Sequence, residues 1–135
     1  MLRFVACALL LAATPALADG CGRPADLRFA PGTSSATVSG GAVRGEFACY
    51  AFSARAGQQL EVRVSAEENN AVFQAYLPGW TISSDGGPNG ATLPGAGEGQ
   101  DATSVSAKLP ANGRYLLVVG GTRGNMSFTL RVAIR

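Results

Sequence analysis

The chain contains no histidine. This excludes a Ser-His-Asp or Cys-His nucleophile system, a histidine metal ligand and an imidazole pH switch. An enzyme made from this sequence would depend on carboxylates, tyrosines or Lys108, the only lysine. The other basic residues are arginines scattered along the chain, without the Lys/Arg cluster of a nucleic-acid footprint. Cysteine is scarce as well: Cys7 falls in an N-terminal apolar run, which leaves Cys21 and Cys49. Two thiols without histidine make a poor metal site, and no metal or cofactor is expected. In an oxidising compartment they most simply form one disulfide, worth ~3–4 kcal/mol in the chain-entropy model. Helical periodicity, internal repeats and a second domain are also missing. Together these absences favour binding over catalysis.

What is present begins with an export signal. Arg3 supplies a short positive region, residues 4–13 are apolar, Pro15 breaks the run, and Ala16-Leu17-Ala18 is a small-residue cleavage site. The stretch is too short for a spanning helix, so no membrane span is expected in the mature chain. Asp19 stands where a lipobox wants an uncharged residue, which argues against lipidation at Cys21. The expectation is a signal peptide over 1–18 and one domain over 19–135, periplasmic or secreted after cleavage near Ala18.

Period-two alternation recurs through the rest of the chain. Strands are expected at 28–30, 35–39, 45–55, 60–65, 71–77, 102–109, 115–119 and 126–135, separated by Gly, Pro and Asn turns. Met126, Phe128, Leu130, Val132 and Ile134 share one face of the last strand, and Ser127, Thr129, Arg131, Ala133 and Arg135 share the other. Tyr115 to Val119 is a continuous apolar run, as a central strand requires. Asn112-Gly113 reads as a hairpin turn, and residues 120–125 as a second hairpin loop. Residues 81–101 hold six glycines and two prolines and read as one long structureless loop. The fold class is all-β, a single antiparallel β-sandwich of about seven or eight short strands.

Several stretches resemble bacterial periplasmic inhibitors of g-type lysozyme. They are Phe29-Ala30-Pro31-Gly32-Thr33, Tyr50-Ala51-Phe52-Ser53-Ala54, Asn70-Ala71-Val72-Phe73, Leu77-Pro78-Gly79, Leu109-Pro110-Ala111-Asn112-Gly113-Arg114-Tyr115 and Gly124-Asn125-Met126-Ser127-Phe128. The same pattern is similar to the pre-peptidase C-terminal domain, a β-sandwich appended to secreted proteases. The first resemblance implies a protein that places loops in a lysozyme cleft and occludes it, and whose partner is a g-type lysozyme. The small-residue-Gly-x-Tyr motif of lysozyme inhibitors falls on Asn112-Gly113-Arg114-Tyr115, with Asn112 where a serine is often found. The last loop carries one arginine, Arg123, where the family has a longer and more basic loop.

Arg123, Arg114, Tyr115, Asn112 and Trp80 are the candidate partner-binding residues. A lysozyme cleft is acidic because glycoside cleavage uses carboxyl groups, which suits arginine forks and tyrosine hydroxyls. Each candidate also has a plain structural role available. Tyr115 fits a core aromatic with its hydroxyl at the rim, Arg114 and Arg123 fit solvated loop charges, and Asn112 makes a turn. Trp80, the only tryptophan, serves equally as a stacking residue or as a cap on the core. Asp85, Glu98 and Asp101 suggest a calcium site or a carboxyl pair but lack motif spacing. The alternative function is a carbohydrate- or cell-envelope-binding module built on Trp80 and the long loop.

Overall fold

Alternating apolar residues build two sheets that face each other. A computed structural model of the chain describes residues 21–29 and 32–135. The expected export signal and its boundary near Ala18 lie outside those residues. The strands are β1 (Ala25–Asp26), β2 (Ser35–Ala42), β3 (Phe47–Ala54), β4 (Gln59–Ala66), β5 (Ala71–Tyr76), β6 (Thr81–Ile82), β7 (Pro88–Asn89), β8 (Ser104–Lys108), β9 (Gly113–Gly121) and β10 (Met126–Ile134). One sheet has the order β1-β3-β9-β5, the other β2-β10-β4-β8, and β6 pairs with β7. All pairings are antiparallel except β1 with β3. No helix of the described residues is long and apolar enough to cross a membrane.

The sandwich core is made by the inward faces. β10 contributes Met126, Phe128, Leu130 and Val132, and β4 contributes Leu60, Val62 and Val64. Ala48, Phe52 and Ala54 of β3, Tyr115, Leu117 and Val119 of β9, and Phe73 and Ala75 of β5 meet them. Each fully buried large apolar side chain is worth about 1.5–3 kcal/mol. Register follows, because Leu130 pairs with Val64 and Val132 with Val62, and a one-residue slip would turn both rows outward. At Gly40 on β2 an added Cβ would lie 2.9 Å from Phe128 Cζ and 2.9 Å from the Tyr50 hydroxyl, so a side chain there would displace the Tyr50–Phe128 edge contact.

The first sheet is covered on its outer face too. Cys49, Tyr76, Leu116 and Val118 form a second apolar cluster with Cys21, and Trp80 and Ile82 pack against it. This explains the continuous apolar run in β9, which is buried on both sides. The Cys21–Cys49 disulfide ties the N-terminal arm over this cluster, with the two Cα atoms 5.2 Å apart.

Three local expectations change. Asn112-Gly113 is not a hairpin, because β8 and β9 lie in different sheets, and the 120–125 loop likewise joins β9 to β10 across the sandwich. Every connection between the longer strands is such an arch, and only β6–β7 returns on itself. The strand expected at 28–30 is absent at Arg28 and Phe29, and pairing occurs earlier, at Ala25 and Asp26. Residues 81–101 are not structureless. After the β6–β7 hairpin the chain runs along the free edge of β5, where Leu93 N donates to Ala75 O at 2.9 Å, Ala75 N to Ala96 O at 3.0 Å and Leu77 N to Ala91 O at 2.8 Å. Leu93 and Ala96 are 2% and 0% exposed. The segment closes an edge that would otherwise present unpaired backbone groups.

Candidate functional site

The arches gather at the two ends of the sandwich, and β9 separates them. Asn112, Arg114 and Tyr115 stand at its beginning, Trp80 joins them from the connection after β5, and Arg123 follows its far end. At about 3.3 Å per residue, Arg114 is roughly 23 Å from the Gly121 end of β9, and Arg123 lies in the arch beyond that end. The five candidates therefore do not form one surface.

At the Arg114 end the polar groups are used internally. Tyr115 is 1% exposed and stacks on Phe52, with ring centroids 5.4 Å apart at an interplanar angle of 11°. Its hydroxyl donates to Ala111 O at 2.7 Å and accepts from Ala111 N at 3.3 Å. The Tyr115 ring is sealed in the core and its hydroxyl holds the preceding loop. Asn112 Oδ1 accepts the Ala56 amide at 2.8 Å and so pins the β3–β4 arch to the β8–β9 arch. Trp80 is half-buried over the second cluster, and its Nε1 donates to Arg114 O at 2.9 Å. The Arg114 guanidinium pairs with Asp26 at 2.6 Å, both side chains remaining about half exposed.

At the opposite end three arches meet, at 43–46, 67–70 and 122–125. Asn70 organises them. It is 2% exposed, and its Nδ2 donates to Arg123 O at 3.0 Å and to Asn125 O at 2.9 Å. The Asn70 carbonyl accepts Thr122 N at 2.9 Å, while its Oδ1 has no hydrogen-bond partner among the described residues. Arg44 N donates to Asn125 Oδ1 at 2.8 Å, which ties in the third arch. One Arg123 guanidinium nitrogen donates to Glu68 O at 2.6 Å, and the rest of the fork faces outward on an exposed loop. The same end carries the two exposed large hydrophobic residues among those described, Val43 at 48% and Phe47 at 39%. The Phe47 ring lies over Gly120, whose missing Cβ would sit 3.1 Å from it.

Sequence reasoning missed Val43, Arg44, Phe47 and Asn70 at this end. Phe47 opens β3 on the face shared with Cys49 and Ala51, but nothing local shows that this corner stays uncovered. Asn70 reads as part of a polar turn, yet it is the buried hinge of the cluster. No three His, Cys, Asp or Glu residues among those described are placed to hold a metal. Asp85 belongs to the β6–β7 turn, where the Ser83 hydroxyl donates to its carboxylate and the Gly87 amide adds a bond at 3.1 Å. These bonds hold the Asp85 carboxyl below the usual carboxylate range.

No protein-family model and no curated protein matches the chain. Solved structures do. The chain is similar to Aeromonas hydrophila PliG, a periplasmic lysozyme inhibitor of g-type lysozyme, at 24% identity and a TM-score of 0.64, covering 83% of this chain and 96% of that one. It is similar to Salmonella Typhimurium PliG, described in the same words, at 26% identity and a TM-score of 0.60, covering 84% of this chain and 99% of that one. The pre-peptidase C-terminal domain of a Bacillus anthracis collagenase is more distant, at 14% identity and a TM-score of 0.48, and bears no weight on function.

Proposed function

We propose that this chain is an exported lysozyme inhibitor, directed at a g-type enzyme, that acts by occluding the active-site cleft and performs no catalysis. The observation that carries this reading is the likeness to PliG over nearly the whole inhibitor, 99% of the Salmonella protein. The absence of histidine, which removes the common nucleophile systems, agrees with a binding role.

The 43–46, 67–70 and 122–125 end is the surface we assign to the partner. Arg123 is held by Glu68 and, through its backbone, by Asn70, so its fork is pre-positioned. A positioned guanidinium suits a cleft whose chemistry rests on carboxylates, because it binds them in bidentate fashion. Val43 and Phe47 supply apolar contacts at the same end, and buried aromatic and arginine anchors are what dominate interface energies. Arg114 is half-neutralised by Asp26, and Trp80 is occupied in covering the second cluster, so neither that end nor the envelope-module alternative gains support from the geometry.

The test is titration of residues 19–135, with the disulfide formed, against g-, c- and i-type lysozymes in a cell-wall lysis assay. Stoichiometric loss of g-type activity is expected. Arg123→Ala should weaken inhibition by about tenfold or more, the effect of losing an interface anchor, while Arg114→Ala leaves it nearly unchanged. Failure to inhibit any of the three would reject the function. The opposite ranking of the two variants would reject the surface alone.

A further inference from the structure

The second sheet turns one face to the core and leaves the other bare. That outer face is polar apart from Ala133. Thr37 and Ser39 come from β2, Ser127, Thr129, Arg131 and Arg135 from β10, Glu61, Arg63 and Ser65 from β4, and Ser104, Ser106 and Lys108 from β8, and all are exposed. No aromatic or large aliphatic side chain interrupts it. Arg63, Lys108, Arg131 and Arg135 stand against the single carboxylate Glu61, so the face carries more positive charge than the +2 of the entire chain.

At its centre Arg131 of β10 lies directly opposite Arg63 of β4. The same row continues to Thr37 on one side and Ser104 on the other. The next row is Ser39, Thr129 and Ser65. Directly opposed side chains have Cβ atoms about 4.5–5.5 Å apart, and like charges in that position repel. Neither guanidinium has an ion pair among the described residues, and the nearby Glu61 is engaged by Arg135 at 3.7 Å. Two arginines without an ion pair among the described residues thus stand at opposed positions on the two central strands of the sheet, framed by hydroxyls.

We infer that this face binds an acidic polysaccharide, with carboxylates of the chain bridging Arg63 and Arg131 and sugar hydroxyls meeting the serine and threonine rows. An anion between the two forks removes their repulsion and satisfies both in bidentate geometry. The face is flat and open, so it fits an extended polymer better than a compact ligand. Hydroxyl groups donate and accept, which matches a polyhydroxylated chain, whereas a phosphate polymer needs donors only. The surface lies apart from the Arg123 end and does not depend on the inhibitor assignment.

The experiment measures binding of oligogalacturonate at low ionic strength by calorimetry, with dextran, polyphosphate and single-stranded DNA alongside. Oligogalacturonate should bind and dextran should not, and binding should weaken as salt rises. The double variant Arg63→Gln/Arg131→Thr should lose at least about tenfold in affinity while keeping its lysozyme titration, and its melting temperature in chloride should be equal to or above that of the parent. Arg63→Lys/Arg131→Lys, which keeps the charge and removes the fork, should lose severalfold. Absence of oligogalacturonate binding, binding that survives the double variant, or tighter binding of polyphosphate or DNA would each overturn the proposal.

Discussion

The Tyr115 hydroxyl closes on Ala111, giving a hydrogen bond to its carbonyl at 2.7 Å and taking one from its amide at 3.3 Å. The tyrosine that a short motif offers to a partner is thus consumed by the loop four residues before it. Tyr115→Phe keeps the stack on Phe52 and removes both bonds. It should cost about 1–3 kcal/mol in urea unfolding, since the Ala111 groups lose their partner. Lysozyme inhibition by the folded variant should stay within about twofold of the parent. A selective loss of inhibition with stability intact would return Tyr115 to the contact surface.

Leu93 tests whether the glycine-rich segment is part of the fold. It is buried in the main core, and its amide bonds Ala75 at the edge of β5. Leu93→Ala should destabilise the protein by about 2–5 kcal/mol, as for other buried leucines. A change within about 0.5 kcal/mol, the range of surface substitutions, would mean that the segment is detached in solution.

The Cys21–Cys49 bridge holds the arm over Leu116 and Val118 with a sequence separation of 28. Replacing both cysteines with alanine should lower stability by about 3–4 kcal/mol. It should also speed amide exchange at 80–90, where Trp80 and Ile82 share the cluster. Unchanged exchange there would show that Trp80 and its bond to Arg114 O secure the lid unaided.

Tyr76 gives a pH dependence with a definite sign. Burial raises its phenol above the ordinary value, and the Glu98 carboxylate raises it further. Burial does the same to Tyr50. For a phenol, a higher folded pKa means that the folded state favours the protonated form. The resulting stability is complete below the unfolded pKa, about 10, and is lost as pH rises through the folded value. Alkaline unfolding should therefore be milder in Tyr76→Phe. In a spectroscopic tyrosinate titration Glu98→Gln should move one transition to lower pH. An identical titration with and without Glu98 would remove that carboxylate as a cause.

Much of this molecule is legible in its residues. Alternation determined strand, face and core for β4 and β10, because a pleated strand with one wet side needs period two and nothing else. The scarcity of cysteine left one pairing for the bridge. The missing histidine narrowed the chemistry before any contact was known. Partnership between strands was not legible. Asn112-Gly113 is a turn signal whether the chain returns beside itself or arches to the other sheet, and only the pairing of β9 with β3 and β5 settles it. The same blindness hid the functional geometry. Local sequence cannot show that Asn70 is buried beneath the Arg123 loop, or that Arg63 faces Arg131 across a strand boundary. Those relations join residues far apart in the chain, and they exist only once the core has chosen which strands lie together.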